Sequence, residues 1–308
     1  MRSILGPRFS NIMVVVMATD KARILDGKGL AGQLRSEMAA RVQTRVAAGA
    51  RAPGLAVILV GEDPASQVYV RNKQKACAEA GIVSQPYILP AATSQAELLE
   101  LIASLNGRDD VDGILLQLPL PDSLDSRACL DAIDPDKDVD GFHPLNVGRL
   151  ALGLPGFVPC TPLGVLELLK RNGIEIRGKK AVIVGRSDIV GKPLAMLLAQ
   201  KGCDATVTIC HSGTEDVKRE CLGADLLFLA MGSPRAIGGD MVKDGAIVVD
   251  IGINRTAEGL CGDAHFDEVC KKASFVTPVP GGIGPMTIAM LLRNTIDSWE
   301  RRLAGSEN

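Results

Sequence analysis

Tyr69 and Lys73 stand four residues apart in a segment, Pro64 to Ala80, that reads as a helix. With Ala76 and Ala80 they follow i, i+4, i+7, i+11 spacing, which places all four on one face. The stripe is otherwise apolar, and Cys77 lies beside it. A lysine in such a stripe is partly desolvated, which favours the uncharged amine that can take up a proton. Tyr69, one turn away, is placed to orient that amine by a hydrogen bond. The competing reading is an edge lysine whose stem covers apolar surface while its head reaches water.

Gln117 is the one polar residue within Ile114–Leu118. It falls near the C-terminal end of an expected strand, where open α/β sheets bind ligands. A buried amide needs partners; Lys73 or a substrate heterocycle would serve, and so would backbone groups. Asp136-Lys-Asp138-Val-Asp140-Gly141 matches the first half of a calcium loop, but its twelfth position is Val147 rather than Glu, and Pro144 argues against an exiting helix. Calcium is therefore rejected, and no metal is expected. Asp140 then suits the paired N–H donors of an amino-pyrimidine, or it sits in a solvated loop.

Ala181-Val-Ile-Val-Gly185-Arg-Ser-Asp-Ile-Val-Gly191-Lys-Pro reads as strand, glycine turn and helix. Gly185 permits the tight turn and Gly191 a close approach of helix and strand, so backbone N–H groups at the helix start can face a pyrophosphate. A βα turn without ligand is the alternative. A phosphate-binding P-loop fails twice: five residues rather than four separate Gly185 from Gly191-Lys192, and Pro193 stands where Ser or Thr would hold magnesium. Dinucleotide sites for NAD place an acid at the end of the second strand, on the ribose 2′-hydroxyl. Thr206-Val-Thr-Ile-Cys210-His211-Ser212 has none. Arg186, His211 and Ser212 instead suit a 2′-phosphate, so NADP is expected over NAD.

The elements that must hold these residues alternate strand and helix, the signature of α/β architecture. Helices are expected at Leu30–Ala47, Pro64–Ala80, Ser94–Asn106, Leu163–Asn172, Lys192–Lys201 and Pro285–Leu303. Strands are expected at Leu55–Val60, Val83–Leu89, Gly113–Leu118, Lys180–Val184, Ala205–Cys210, Leu226–Ala230 and Ala246–Ile251. Gly153, Pro155, Gly156, Pro159 and Pro162 make Leu150–Pro162 loop-like, and a domain boundary is placed there. Pro278-Val-Pro280-Gly281-Gly282-Ile-Gly284-Pro285-Met-Thr287 is a glycine turn entering the last helix. It reads as a close approach to a ligand, an interdomain hinge, or both.

At 308 residues two domains are expected. Net charge is −2 without a basic block and aromatics are 3%, which disfavours a nucleic-acid partner. No apolar run approaches the roughly 18–20 residues of a membrane span. The eight cysteines form no CxxC pair and the three histidines are far apart, so reduced thiols and a cytoplasmic enzyme are expected. Residues 1–19 carry Arg2, Ser3, Arg8 and Ser10, then the apolar run Ile12–Ala18, with no acid before Asp20. They read as a mitochondrial transit peptide, a stretch upstream of a true start at Met17, or residues foreign to the natural chain.

Six stretches together resemble the bifunctional methylenetetrahydrofolate dehydrogenase/methenyltetrahydrofolate cyclohydrolase family. They are Ser66-Gln-Val-Tyr69-Val-Arg-Asn-Lys73-Gln-Lys, Gly113-Ile-Leu-Leu-Gln117-Leu-Pro-Leu-Pro121, Pro135-Asp-Lys-Asp-Val-Asp140-Gly-Phe, Pro159-Cys-Thr-Pro162, Gly185-Arg-Ser-Asp-Ile-Val-Gly191-Lys-Pro and Pro278-Val-Pro-Gly-Gly-Ile-Gly-Pro-Met-Thr287. They run in order between Leu25 and Leu303. The resemblance implies NADP-dependent oxidation of 5,10-methylenetetrahydrofolate and hydrolysis of the methenyl product to 10-formyltetrahydrofolate in one cleft. It makes Lys73 the general acid/base, with Tyr69 orienting it, Gln117 tuning it and Asp140 anchoring the pterin. Ser66, Pro280, Gly281, Gly282 and Thr287 complete the implied substrate site. Gly185, Arg186, Ser187, Gly191, His211, Ser212 and Ile253 make the cofactor site, where Asp188 adds a negative charge to the turn. The implied fold is an N-terminal α/β catalytic domain (20–156 with 285–308), a Rossmann-type NADP-binding domain (157–284), and a C-terminal helix returning to the first. A homodimer joined through the nucleotide domains is also implied. The alternatives are a monofunctional dehydrogenase or cyclohydrolase of the same family and a non-catalytic NADP- or folate-binding sensor.

Overall fold

A computed structural model describes residues 21–306; the segment read as a transit peptide or upstream start lies outside them. The first half runs β1 (Arg23–Ile24), α1 (Gly27–Ala47), β2 (Gly54–Val60), α2 (Pro64–Ala80), β3 (Val83–Leu89), α3 (Gln95–Asn106), β4 (Gly113–Leu116), α4 (Ser126–Asp131) and α5 (Pro144–Leu152). Every residue of β2 is buried, as a central parallel strand covered on both faces must be. β2 pairs in parallel with β3 on one side and β4 on the other. The chain therefore leaves β2 for one neighbour and returns to the other, which opens a crevice at the C-terminal ends of β2 and β4.

α2 starts where its sequence demands. The Asp63 carboxylate accepts from Ser66 N–H at 2.7 Å and Pro64 occupies the first turn, while Gly81 ends the helix in the left-handed conformation at φ 75°. α3 begins with a full capping box between Ser94 and Glu97.

The second half adds α6 (Cys160–Arg171), β5 (Lys180–Val184), α7 (Gly191–Ala199), β6 (Thr206–Cys210), α8 (Val217–Leu222), β7 (Leu226–Leu229) and β8 (Ile247–Asp250). The hairpin β9 (Asn254–Thr256) and β10 (Gly259–Cys261), then α9 (Phe266–Val269) and β11 (Phe275–Val276), precede the long α10 (Ile283–Ser306). Six parallel strands lie in the order β1-β11-β8-β7-β5-β6, a Rossmann-type sheet. Here too the chain steps from β5 to opposite sides, so a second crevice opens beyond β5 and β7. α10 leaves this half and packs along α1, α2 and α6. Trp299, fully buried, anchors it in an apolar core that continues into both sheets.

Several expectations are corrected. Pro144 does not prevent a helix: it takes the first turn of α5, where its missing N–H has no partner to lose, and the His143 side chain accepts from Leu145 N–H at 3.1 Å. The boundary loop is consequently shorter than Leu150–Pro162, since α5 continues to Leu152 and α6 opens at Cys160. β4 ends at Leu116, one residue before Gln117, although the Gln117 N–H still reaches Ile58 O at 2.9 Å. The two-residue strands β1 and β11 were too short to carry a pattern.

Candidate active site

The β2–β4 crevice places the N-terminal part of α2 over the end of β4. Lys73 is buried, and its Nζ donates to Gln117 Oε1 at 3.0 Å. Gln117 Nε2 donates to Leu118 O at 2.7 Å, which fixes the amide with its oxygen toward the lysine. An amide oxygen accepts a hydrogen bond without taking the proton, so it aims Nζ and leaves it chemically free. The expected hydrogen bond from Tyr69 to the amine is not formed. Tyr69 is half-buried on the same wall, and burial pushes its phenol above the ordinary range, keeping it a donor at neutral pH.

Asp140 faces Lys73 across the cavity they both line. Burial pushes its carboxyl above the ordinary range; the Lys73 charge opposes the shift, Asp138 adds to it, and the nearby Cys160 thiol, which donates to Val139 O at 3.3 Å, opposes it again. Two residues earlier, Asp138 is used up internally. It accepts from the N–H groups of Gly141, Phe142 and His143 at 3.1, 3.2 and 2.8 Å and from Asn146 Nδ2 at 2.9 Å. That carboxylate folds the loop that presents Asp140. Asn294 of α10 ties the loop from behind, with Nδ2 donating to Val139 O at 2.8 Å and Val158 O at 3.1 Å. Neither Asp138 nor Asn294 was anticipated, because their roles depend on backbone groups that only the folded loop brings together.

The cavity has a volume of about 350 Å³ and is lined by Ser66, Tyr69, Lys73, Gln117, Asp140, Ile253 and Thr287 among the expected residues. Thr161, unanticipated, joins them through a 3.0 Å contact between its Oγ1 and that of Thr287. Pro280, Gly281 and Gly282 line a second cavity of about 590 Å³. The two adjoin, sharing Tyr69, Ile251, Ile253, Ile283, Gly284 and Ile288. The expected substrate residues therefore divide between two connected spaces.

Ile189 and Val190, from the glycine turn after β5, line the first cavity as well, so the turn and the lysine share one cleft. A Cβ on Gly185, whose φ is 129°, would lie 2.1 Å from Ala230 O, and one on Gly191 would lie 2.2 Å from Gly185 O. Only glycine fits either position. Ser187 Oγ accepts from Val190 N–H at 3.2 Å and Gly191 N–H at 3.4 Å, shaping the start of α7. Arg186 and Ser212 are exposed and Arg186 makes no ion pair among the described residues. His211 Nδ1 accepts from Gly213 N–H at 3.0 Å, so its proton sits on Nε2, available as a donor. Asp188, the acid that the sequence puts in this turn, pairs with Lys192 one helical turn on. The residues present thus fit a dinucleotide with a 2′-phosphate: tight glycine turn, helix start, exposed guanidinium, and no acid in β6 or at its end through Ser212.

The chain matches two family profiles, the tetrahydrofolate dehydrogenase/cyclohydrolase catalytic domain over residues 25–140 and the NAD(P)-binding domain of the same family over 159–303. It is 68% identical to a bifunctional protein FolD of Desulfovibrio desulfuricans over 283 residues, covering 91% of this chain and 99% of that one. Among solved structures it resembles the bifunctional FolD methylenetetrahydrofolate dehydrogenase/cyclohydrolase of Campylobacter jejuni, with a TM-score of 0.89 at 52% identity over 91% of this chain and 99% of the other. The Trypanosoma brucei dehydrogenase-cyclohydrolase, solved with NADP cofactor and inhibitor, gives 0.87 at 40% identity over 92% and 99%. The two halves, their connected cavities and these matches agree that the chain belongs to the tetrahydrofolate dehydrogenase/cyclohydrolase family.

Proposed function

We propose that this protein oxidises 5,10-methylenetetrahydrofolate to 5,10-methenyltetrahydrofolate with NADP, then hydrolyses that product to 10-formyltetrahydrofolate in the same cleft. One observation carries the reading: a buried lysine, aimed by an amide and left with open N–H positions, shares its cavity with a dinucleotide-type glycine turn.

NADP, when bound, accepts a hydride from the methylene bridge. That step needs orientation rather than proton transfer. Asp140 anchors the pterin edge through its carboxylate, while Tyr69 and the apolar wall of Ile251 and Ile253 hold the reacting carbon in place. The hydrolysis step does need proton transfer. Water adds to the bridge carbon of the methenyl cation, Lys73 Nζ takes up a proton from that oxygen, and a proton returned to N5 lets the C–N5 bond break. The formyl group stays on N10, and one proton is released overall. Gln117 keeps Nζ in line for both transfers.

The p-aminobenzoyl-glutamate part of the substrate is assigned to the second cavity, beside Pro280, Gly281 and Gly282. Its mouth carries Lys28, Arg35, Lys75 and Arg255 against Glu79, which suits a string of carboxylates. On the cofactor side, Arg186, His211 and Ser212 are assigned to the 2′-phosphate and Ser187, Gly185 and Gly191 to the pyrophosphate turn. Residues 20–156 with 285–308 act as the folate half and 157–284 as the nucleotide half. A homodimer through the nucleotide half is supported by β6, the last strand in its sheet, and by exposed Ile209 and Leu222 nearby. All eight cysteines are free, which supports a cytoplasmic setting.

The test is a coupled assay with 5,10-methylenetetrahydrofolate and NADP, reading NADPH formation and then formyl product after conversion back to methenyltetrahydrofolate in acid. Both signals are expected. NADPH with only spontaneous hydrolysis would leave a dehydrogenase alone, and tight NADP binding without NADPH would leave a sensor.

A further inference from the structure

Asp263 takes no part in the chemistry above, yet it is a fully buried acid with no ion pair among the described residues. Its oxygens accept four hydrogen bonds. Oδ2 takes Met231 N–H at 2.8 Å and Gly232 N–H at 3.1 Å, and Oδ1 takes Ser233 N–H at 2.9 Å and Asn254 Nδ2 at 2.8 Å. Three donors belong to the loop leaving β7; the fourth belongs to the segment leaving β8. The β7 loop begins at Ala230, whose carbonyl is the atom against which Gly185 packs. The β8 segment carries Ile253 into both cavities. One carboxylate thus joins two of the loops that wall the crevice beyond β5 and β7.

The arrangement is reinforced from behind. Asp250 Oδ1 accepts from Asp263 N–H and Gly252 N–H, both at 3.0 Å, and Oδ2 accepts from Ala264 N–H at 2.8 Å. A buried carboxylate with no cation is costly unless its acceptor sites are filled, so loop position and charge are tied to each other.

We propose that Asp263 is a positioning residue for NADP: it holds the β7 and β8 loops at the spacing the dinucleotide needs, without touching the groups that move protons. The inference rests on the cleft being an NADP site. It predicts a split between the two activities that general loss of packing would not produce.

The test uses Asp263→Asn, which turns an NH2 toward N–H donors, and Asn254→Ala, which removes one donor and keeps the acid. NADP is titrated by calorimetry, and hydrolysis of pre-formed methenyltetrahydrofolate is followed separately. Loss of charge-assisted bonds is expected to weaken NADP binding about tenfold in Asp263→Asn and about threefold in Asn254→Ala. Hydrolysis of methenyltetrahydrofolate should stay within about twofold of the unaltered protein in both, since Lys73, Gln117 and Asp140 stand on other elements and only the apolar wall of Ile251 and Ile253 follows the β8 segment. Unchanged NADP affinity in folded Asp263→Asn, or an equal loss of both functions, would overturn the proposal. If Asp263→Asn does not fold, Asn254→Ala decides on the same two readings. An unaltered protein that hydrolyses the methenyl compound but binds no NADP would instead overturn the cofactor assignment.

Discussion

Lys73 and Lys137 are both buried, at 8% and 1% exposure, and they flank opposite ends of β4. Lys137 Nζ donates to the carbonyls of Leu105, Asn106 and Arg108 at 3.2, 2.7 and 2.6 Å. All three of its N–H groups are spent closing the C-terminal end of α3, where helix carbonyls have no partners of their own. Lys73 has one hydrogen bond, to Gln117, and faces a cavity. The acids repeat the contrast: Asp138 accepts three hydrogen bonds from its own loop and one from Asn146 of α5, whereas Asp140 lines the space opposite Lys73. Burial alone does not separate a structural ion from a chemical one. The number of donors or acceptors left over does.

The contrast is broken most directly by removing each lysine. Lys73→Ala is expected to lower methenyltetrahydrofolate hydrolysis by about 10²–10⁴-fold, the range for a lost general acid/base. NADPH formation should survive, because it asks nothing of the amine but orientation. Lys137→Met should do the reverse. It takes a charged donor from three carbonyls at the end of α3 and is expected to destabilise the fold by about 3 kcal/mol, while the folded fraction keeps both activities. Stopped-flow hydrolysis and thermal unfolding read the two effects. A fully active cyclohydrolase in Lys73→Ala would remove the lysine from the mechanism.

The paired acids give the next largest effect. Asp140→Asn is expected to raise the folate KM by about 10²-fold by losing a paired charge-assisted contact. The unaltered protein should show the same dependence through pH. Burial holds the Asp140 carboxyl above its ordinary 3.8, so the ionised form to which pterin anchoring is assigned is lost as pH falls through that raised value. Folate affinity should therefore fade on the acid side earlier than an ordinary carboxylate would allow, and that limb should vanish in Asp140→Asn. A folate KM that is flat from pH 7 down to pH 4 would assign the anchoring to another group.

Much of this was legible in the sequence, and what was not has a physical reason. The helix from Pro64 to Ala80 was readable to the residue because Asp63, Pro64 and Gly81 punctuate it. The spacing of Tyr69 and Lys73 placed them on one wall. The glycine turn was readable because Gly185 and Gly191 serve steric needs that nothing else meets. The choice between Asp138 and Asp140 was not open to spacing, since both sit in one acidic loop and differ only in which backbone N–H groups turn inward. The predicted Tyr69–Lys73 bond failed because Lys73 donates to Gln117, the partnership also read from that lone polar residue, and helical proximity does not rank the two acceptors. Asp263 gave no signal, because its four donors lie 9 to 32 residues away in the chain.

The nucleotide half allows a smaller and cleaner test of the same comparison. Arg186 has no ion pair among the described residues, so its charge is free for a 2′-phosphate. Arg186→Ala is expected to weaken NADP about 10–30-fold, the worth of one charged hydrogen-bonding partner, while leaving NAD and methenyltetrahydrofolate hydrolysis nearly unchanged. Equal weakening of NADP and NAD would place Arg186 on the pyrophosphate instead.

The smallest effect extends the rule to the surface, at the mouth of the second cavity. Four cations rim it, but they are not equivalent. Arg35 Nε is already engaged with Glu79 at 3.1 Å, whereas Lys28, Lys75 and Arg255 have no ion pair among the described residues. If leftover capacity marks function there too, the three unpaired cations should read the carboxylates of an oligo-γ-glutamyl tail and Arg35 should not. Lys75→Ala and Arg255→Ala are each expected to raise KM for a triglutamyl substrate about threefold, with little change for the monoglutamate, because exposed charges are worth no more than about 1 kcal/mol each. Arg35→Ala should change neither. Added salt should erase the difference between the two substrates, since all these groups are open to solvent. An Arg35→Ala effect as large as that of Lys75→Ala would mean that the rim acts by total charge, and that counting unpaired groups loses its meaning once both partners are solvated.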